Sequence, residues 1–197
     1  RHLIRYSSSQ ALRFMFEPAF TLNTMATEEP KYKSLEKLAD FELREYDSTL
    51  VAEVLVDGDM SQASSKGFRL IADYIFGNNM AKTGGTEKIA MTTPVTIERA
   101  ADQWRMHFVM PSQYKLGTLP TPSNKRIILR EIPARKVAVV RFSGIANEAV
   151  TTKKTQELIS WMAGRRYTVL GTPELARYNP PWTLPFLRRN EVMIEFQ

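Results

Sequence analysis

One stretch of this chain occurs twice. Leu43-Arg44-Glu45 returns as Leu129-Arg130-Glu131, and at the same offset of 86 residues Val51, Ala52, Val54 and Gly58 match Val137, Ala138, Val140 and Gly144. These are seven identities in the sixteen positions 43 to 58, where unrelated segments share about one. After a slip of two residues the following segments also align, Leu70, Ile71 and Tyr74 against Leu158, Ile159 and Met162. No third copy exists, so the repeat predicts two similar halves and not a solenoid. Each half reads as a strand-strand-helix-strand unit. Two such units predict a pseudo-twofold α+β fold with a shared sheet and one long helix on each copy.

Local patterns supply the elements. Residues 41 to 56 are β-branched and alternating around Tyr46-Asp47-Ser48, which reads as a two-stranded hairpin closing at Asp57-Gly58. Residues 60 to 76 have helical spacing: Met60, Ala63, Ser64, Gly67, Phe68, Leu70, Ile71, Tyr74 and Ile75 share one side, with Gln62, Lys66, Arg69 and Asp73 opposite. Asp57 or Asp59 can cap its start and Gly77 its end. Strands are expected around 89–97, 104–110, 126–132, 136–142 and 191–196, and a second helix over 147–163. A Gly-rich loop lies at Thr83–Thr86 and a Pro-studded one between Pro111 and Pro122.

Composition narrows the chemistry. There are no cysteines and only two histidines, which excludes disulfides, thiolate chemistry and a multi-histidine metal site from one copy. His107 alternates onto the strand face opposite Met106 and Phe108, and reads as solvent-facing or hydrogen-bonded; Met91 and Met110 read as core. No apolar run approaches the ~20 residues of a membrane span. Residues 101 to 197 hold fifteen basic against seven acidic side chains, scattered in ones and twos. That reads as a solvated surface, with peripheral membrane contact open and no nucleic-acid motif beside it. Residues 1–30 read as an arm. Its first sixteen residues carry Arg1, Arg5, Arg13, three serines and no acid, the composition of an organellar transit peptide (plastid or mitochondrion) or of an arm packed on a cytoplasmic domain. The domain proper is expected over 31–197.

Five strings then stand in order: Ile89-Ala-Met-Thr-Thr-Pro-Val95 after Gly77-Asn-Asn, Phe108-Val-Met-Pro-Ser112, Leu129-Arg-Glu-Ile-Pro133, Arg141-Phe-Ser-Gly144, and the seventeen-residue block from Ala176 to Val192. Together they resemble the SOUL haem-binding family over residues 31 to 197. The resemblance implies a distorted antiparallel β-barrel flanked by two helices and built by duplication. It also implies binding of haem or a related tetrapyrrole, without a catalytic reaction or an obligatory axial histidine.

A tetrapyrrole requires an apolar slot with cations at its rim for the propionates. The resemblance places that slot between the first helix and the loop over 180–187. The helix offers Ser64, Phe68, Ile71, Ala72 and Ile75 along one edge, with Lys66 and Arg69 on its polar side and Phe76 widening the apolar arc. The loop offers Trp182, Leu184 and Phe186, stiffened by Pro180, Pro181 and Pro185. Arg188 and Arg189 either meet a propionate or flank the last strand, and the axial ligand is unassigned. The alternative is a scaffold module that docks through its arm on an organellar protein assembly without bound ligand. An enzyme is disfavoured, because Glu45, Glu53 and Glu131 read as surface charges paired with Arg44 and Arg130.

Overall fold

The computed structural model describes residues 27–197; the expectations for residues 1–26 lie outside them. Eleven strands and two long helices follow in the order β1 (Tyr32–Leu38), β2 (Phe41–Tyr46), β3 (Thr49–Val56), α1 (Met60–Ile75), β4 (Asn79–Met80), β5 (Val95–Ala100), β6 (Gln103–Val109), β7 (Thr121–Pro122), β8 (Ile128–Ile132), β9 (Arg135–Phe142), α2 (Glu148–Ala163), β10 (Val169–Arg177) and β11 (Asn190–Phe196). Nine strands form one antiparallel sheet in the order β1-β2-β9-β11-β10-β5-β6-β3-β8, while β4 and β7 pair separately. Among the described residues no helix is long and apolar enough to cross a membrane.

Two expectations are corrected. β2 and β3 follow each other within two residues yet do not pair. Both edges of β2 are taken by β1 and β9, and both edges of β3 by β6 and β8, and a strand has only two edges to offer. Nor is the sheet closed into a barrel, because the terminal strands β1 and β8 each have one partner. The short link nevertheless bends the sheet. Tyr46 and Thr49 stand in the second and eighth of the nine strands, but three residues of chain span at most ~11 Å. Each edge strand is guarded by charge, Lys33, Glu36 and Lys37 on β1 and Arg130 and Glu131 on β8, which discourages pairing with another chain. The sequence pattern also misses β1 and β10, and residues 89–94 precede β5 instead of belonging to it.

The helices cover one face. In α1, Asp59 caps the start by accepting from the Gln62 amide at 2.8 Å, and Gly77 ends it at φ +123°, a conformation that favours glycine. Met60, Ala63, Gly67, Ile71, Tyr74 and Ile75 are buried against Ala52, Val54 and Val56 of β3 and Met106 and Phe108 of β6. Gly67 is the point of closest approach: a Cβ there would lie 2.9 Å from Met106 Sδ and 3.3 Å from Val56 Cγ2. In α2, capped by Asn147, Leu158 and Met162 pack on Leu43, Ala138, Val140, Val192 and Ile194. Trp161 stacks on Phe41 with ring centroids 5.1 Å apart.

The opposite face carries buried charge. Arg44, 3% exposed, donates to Glu191 at 2.8 Å and Glu42 at 2.7 Å, and Tyr178 donates to the fully buried Glu191 at 2.7 Å. Burial alone would raise the Glu191 carboxyl; the hydrogen bond and charge of Arg44 overcome it and hold the group below the usual carboxylate range. Glu98 and Glu174 sit directly opposite each other across β5 and β10, a repulsive pairing relieved because each has its own guanidinium, Arg105 at 2.6 Å and Arg135 at 2.5 Å. Glu53 accepts from Arg130 at 2.5 Å and lies 2.8 Å from His107 Nε2. Arg44 and Glu53 are therefore buried members of ion networks, not surface charges. Met91 is exposed instead of core, whereas Met110 is buried.

Two predictions follow from this packing. Gly67→Leu should lower stability by about 2–3 kcal/mol through overpacking, and adding Met106→Ala should restore part of it, read as denaturant midpoints. The His107 hydrogen bond, opposed by burial and assisted by Arg130, holds the Glu53 carboxyl down to about 2 from an ordinary 4.5. A folded value below the unfolded one stabilises above the ordinary value and is lost as pH falls from 4.5 toward 2. The contribution is up to about 3 kcal/mol. Glu53→Gln should lower stability at neutral pH and flatten its decline across that window; an unchanged slope would exclude this role.

Candidate functional site

Along α1, residues four apart return to the same side with a drift of about 40°. Ser64, Phe68, Ala72 and Phe76 thus form a stripe on one flank, rising out of the core as it advances. Ser64 and Ala72 are half-buried, Phe68 is 41% exposed and Phe76 more so. An isolated exposed Phe is ordinary, but a spaced series on one helix flank is a continuous apolar strip.

The loop between β10 and β11 approaches this flank through a chain of hydrogen bonds. Arg177, the last residue of β10, donates from Nη1 to Ser64 Oγ at 2.9 Å and from Nη2 to the Ala146 carbonyl at 3.1 Å. Two residues before Ala146, the Gly144 amide donates to the Pro185 carbonyl at 2.8 Å, and Asn190 Nδ2 donates to the Gly144 carbonyl at 3.0 Å. Helix flank, the 144–146 segment and the proline loop are therefore held side by side. Within the loop, Pro185–Leu187 forms one 3-10 turn, and Arg188 ties it together by donating to the Thr183 and Pro181 carbonyls at 2.7 and 2.6 Å. Trp182 is 82% exposed and Phe186 70%, with Leu184, Leu187 and Ile145 also exposed. A loop braced this way presents apolar side chains to solvent on a fixed backbone.

The sequence-derived residues fall into three groups. Ser64 accepts from Arg177, Ala72 is half-buried, and Phe68, Trp182, Leu184 and Phe186 are exposed. Ile71 and Ile75 are wholly buried against the sheet and support the helix from below. Lys66 and Arg69 are exposed, but at about 100° per residue Lys66 lies roughly 160° around the helix from Phe68, while Arg69 borders the stripe. Arg189 is turned to the other face of the sheet, where it pairs with Glu29 and Glu191 at 3.0 Å each.

A cation bonded to the flank of α1 was missed. Arg177 has no carboxylate within 4 Å among the described residues, and neither does Arg188. Burial first, and then the charge of Arg188, depress the Arg177 guanidinium below its ordinary value. A short-range pattern search had no means of finding it: an arginine at a strand end is unremarkable until the absence of an acid beside it is known.

Enclosed space lies elsewhere. A small cavity of about 40 Å³, lined by Tyr46, Thr96, His107, Arg135, Glu174 and Met193 among others, sits on the charged face. A larger cleft of about 610 Å³ opens beside it under residues 28–31. His107 faces the small cavity with Nε2 held by Glu53 and Nδ1 buried without a partner, on the side of the sheet away from the helices. Among the described residues no group of His, Cys, Asp and Glu could hold a metal ion. The surface beside α1 carries exposed apolar side chains, and His107 lies on the other face of the sheet.

Solved structures resemble the fold. The chain superposes on the crystal structure of the EcmrR C-terminal domain with a TM-score of 0.61 at 14% identity, covering 84% of this chain and 98% of that one. A hydrolase from Listeria innocua gives 0.57 at 14% identity, over 83% and 94%. At such identity the likeness concerns the fold alone. Among curated proteins no sequence matches. The family model described as SOUL heme-binding protein matches residues 27–195, which takes in all but the last residue of the sheet and both helices. The chain belongs to the SOUL heme-binding protein family.

Proposed function

We propose that this protein is a non-enzymatic carrier or buffer for haem or a related tetrapyrrole, bound reversibly against the open groove between α1 and the 180–187 loop. The reading is carried by large apolar side chains left exposed on two elements, Phe68 on α1 and Trp182, Leu184 and Phe186 on a braced loop tied to that helix through Arg177, Ala146 and Gly144. A macrocycle laid there removes apolar surface from water at roughly 25 cal/mol per Å² and stacks on aromatic rings. Phe68, Ala72 and Phe76 supply one wall, Trp182, Leu184 and Phe186 the other, and Ser64 stands at the end where Arg177 enters. Family membership supports the ligand class. With His107 on the far face of the sheet, free porphyrin should bind about as well as haem. The strand order, which reads alike from both ends once β1 is set aside, supports descent of the halves from one duplicated unit.

Titration of protoporphyrin IX and of haem into the purified protein should give saturable quenching of tryptophan emission at about micromolar concentration or tighter. Trp182→Phe should weaken binding of both porphyrins several-fold, because Trp182, 82% exposed, offers the loop's largest aromatic face. Phe68→Glu should weaken binding about tenfold with thermal stability nearly unchanged, as expected of an exposed position. No quenching and no Soret shift in the wild type would overturn the proposal and leave the loop as a docking surface for a protein partner.

A further inference from the structure

Beside α1 stands a charge that no described residue neutralises. Arg177 sits where β10 ends against β5, opposite Val95, and its guanidinium is fixed by two neutral acceptors, Ser64 Oγ and the Ala146 carbonyl. Elsewhere in the domain the buried and half-buried arginines are matched with acids: Arg44 with Glu42 and Glu191, Arg105 with Glu98, Arg135 with Glu174, Arg165 with Glu36, Arg189 with Glu191. Among the described residues Arg177 and the half-buried Arg188 are the exceptions, and the charge of Arg188 works against that of Arg177. A partly desolvated guanidinium without a counter-charge is costly to keep. Two of its five N–H groups are used, and Nε, which has no hydrogen-bond partner, is not buried, so that donor at least is open to solvent.

We infer that Arg177 is the anchor for a carboxylate of the groove's ligand and makes the site selective for acidic tetrapyrroles over neutral ones. The inference rests on the proposed function and adds a polarity to it: the ring lies along Phe68 and Trp182, and one acid side chain points to the end of β10. A carboxylate there can take two parallel N–H donors from the guanidinium. Ser64 and Ala146 hold the side chain in place beforehand, so little rotamer freedom remains to be lost on binding. Lys66, around the helix from the strip, takes no part.

Protoporphyrin IX and its dimethyl ester share the ring and differ in charge, which makes the pair a direct probe. The wild-type protein should bind the diacid about tenfold more tightly than the diester, the effect of one charge-assisted contact. Arg177→Gln should weaken the diacid about tenfold, leave the diester where it was, and so abolish the preference. Arg177→Lys should retain part of it. Unchanged diester affinity in Arg177→Gln reports an intact groove. If that variant fails to fold, the same preference can be read in the wild type alone, where raising KCl from about 50 to about 500 mM should erode diacid binding and spare the diester. A wild type that binds diester and diacid equally, or an Arg177→Gln protein that keeps the preference, overturns the anchor and leaves the groove standing. Failure to bind either porphyrin overturns the groove reading itself, and the anchor with it.

Discussion

The two blocks of the sheet meet along a single ladder of four residue pairs, where β5 runs antiparallel to β10 from Val95 opposite Arg177 to Glu98 opposite Glu174. The rest of the architecture hangs on this seam. On one side stand β1, β2, β9 and β11 with α2 packed over them; on the other stand β6, β3 and β8 with α1. Because strand pairing fixes which face each side chain takes, a one-residue slip here would turn Ile97 and Leu175 out of the core and the opposed glutamates into it. The apolar residues of the seam therefore define its register, and the arginines assigned to Glu98 and Glu174 make the charged side of that register tolerable.

The two faces of the sheet are satisfied by different physics. Toward the helices the strands present Ala52, Val54, Met106, Phe108, Ala138, Val140 and Ile194, and close packing at Gly67 brings α1 down onto them. Away from the helices they present carboxylates and guanidiniums in matched sets, because this face is folded inward by the two-residue link from β2 to β3 and is too enclosed to leave charges in water. Removing one member of such a set strands its partner, so the network constrains the fold even where its net contribution is small. Tyr46, Tyr178 and Met193 fill the spaces between.

The proposed groove lies where the seam, α1 and the proline loop are linked through Arg177, Ala146 and Gly144. The same four-residue ladder that joins the blocks delivers Arg177 to Ser64, and the segment leading into α2 delivers Ala146 to the same guanidinium. In the proposed binding mode, affinity for an apolar ring and preference for an acid group come from separate parts of the structure: the first from side chains that local sequence leaves exposed, the second from a contact between elements more than a hundred residues apart.

By itself the sequence determined the α+β class, the two long helices, most strands to within a residue or two, and the ends of α1 at Asp59 and Gly77, because spacing, capping and glycine conformation are local properties. It also marked the aromatic strip and the proline loop, whose exposure follows from having more apolar side chains than one packing face can use. Strand order was beyond it. The apparent hairpin at Tyr46–Thr49 is two unpaired neighbours, since pairing depends on which edges other strands have already taken. The charged layer was equally hidden: Arg44 and Glu53 alternate as surface residues do, and only the bending of the sheet buries them. Arg177 shows the limit most plainly. Its meaning lies in the lack of a partner, and which charges can reach a given point in space is decided only when the whole chain has folded.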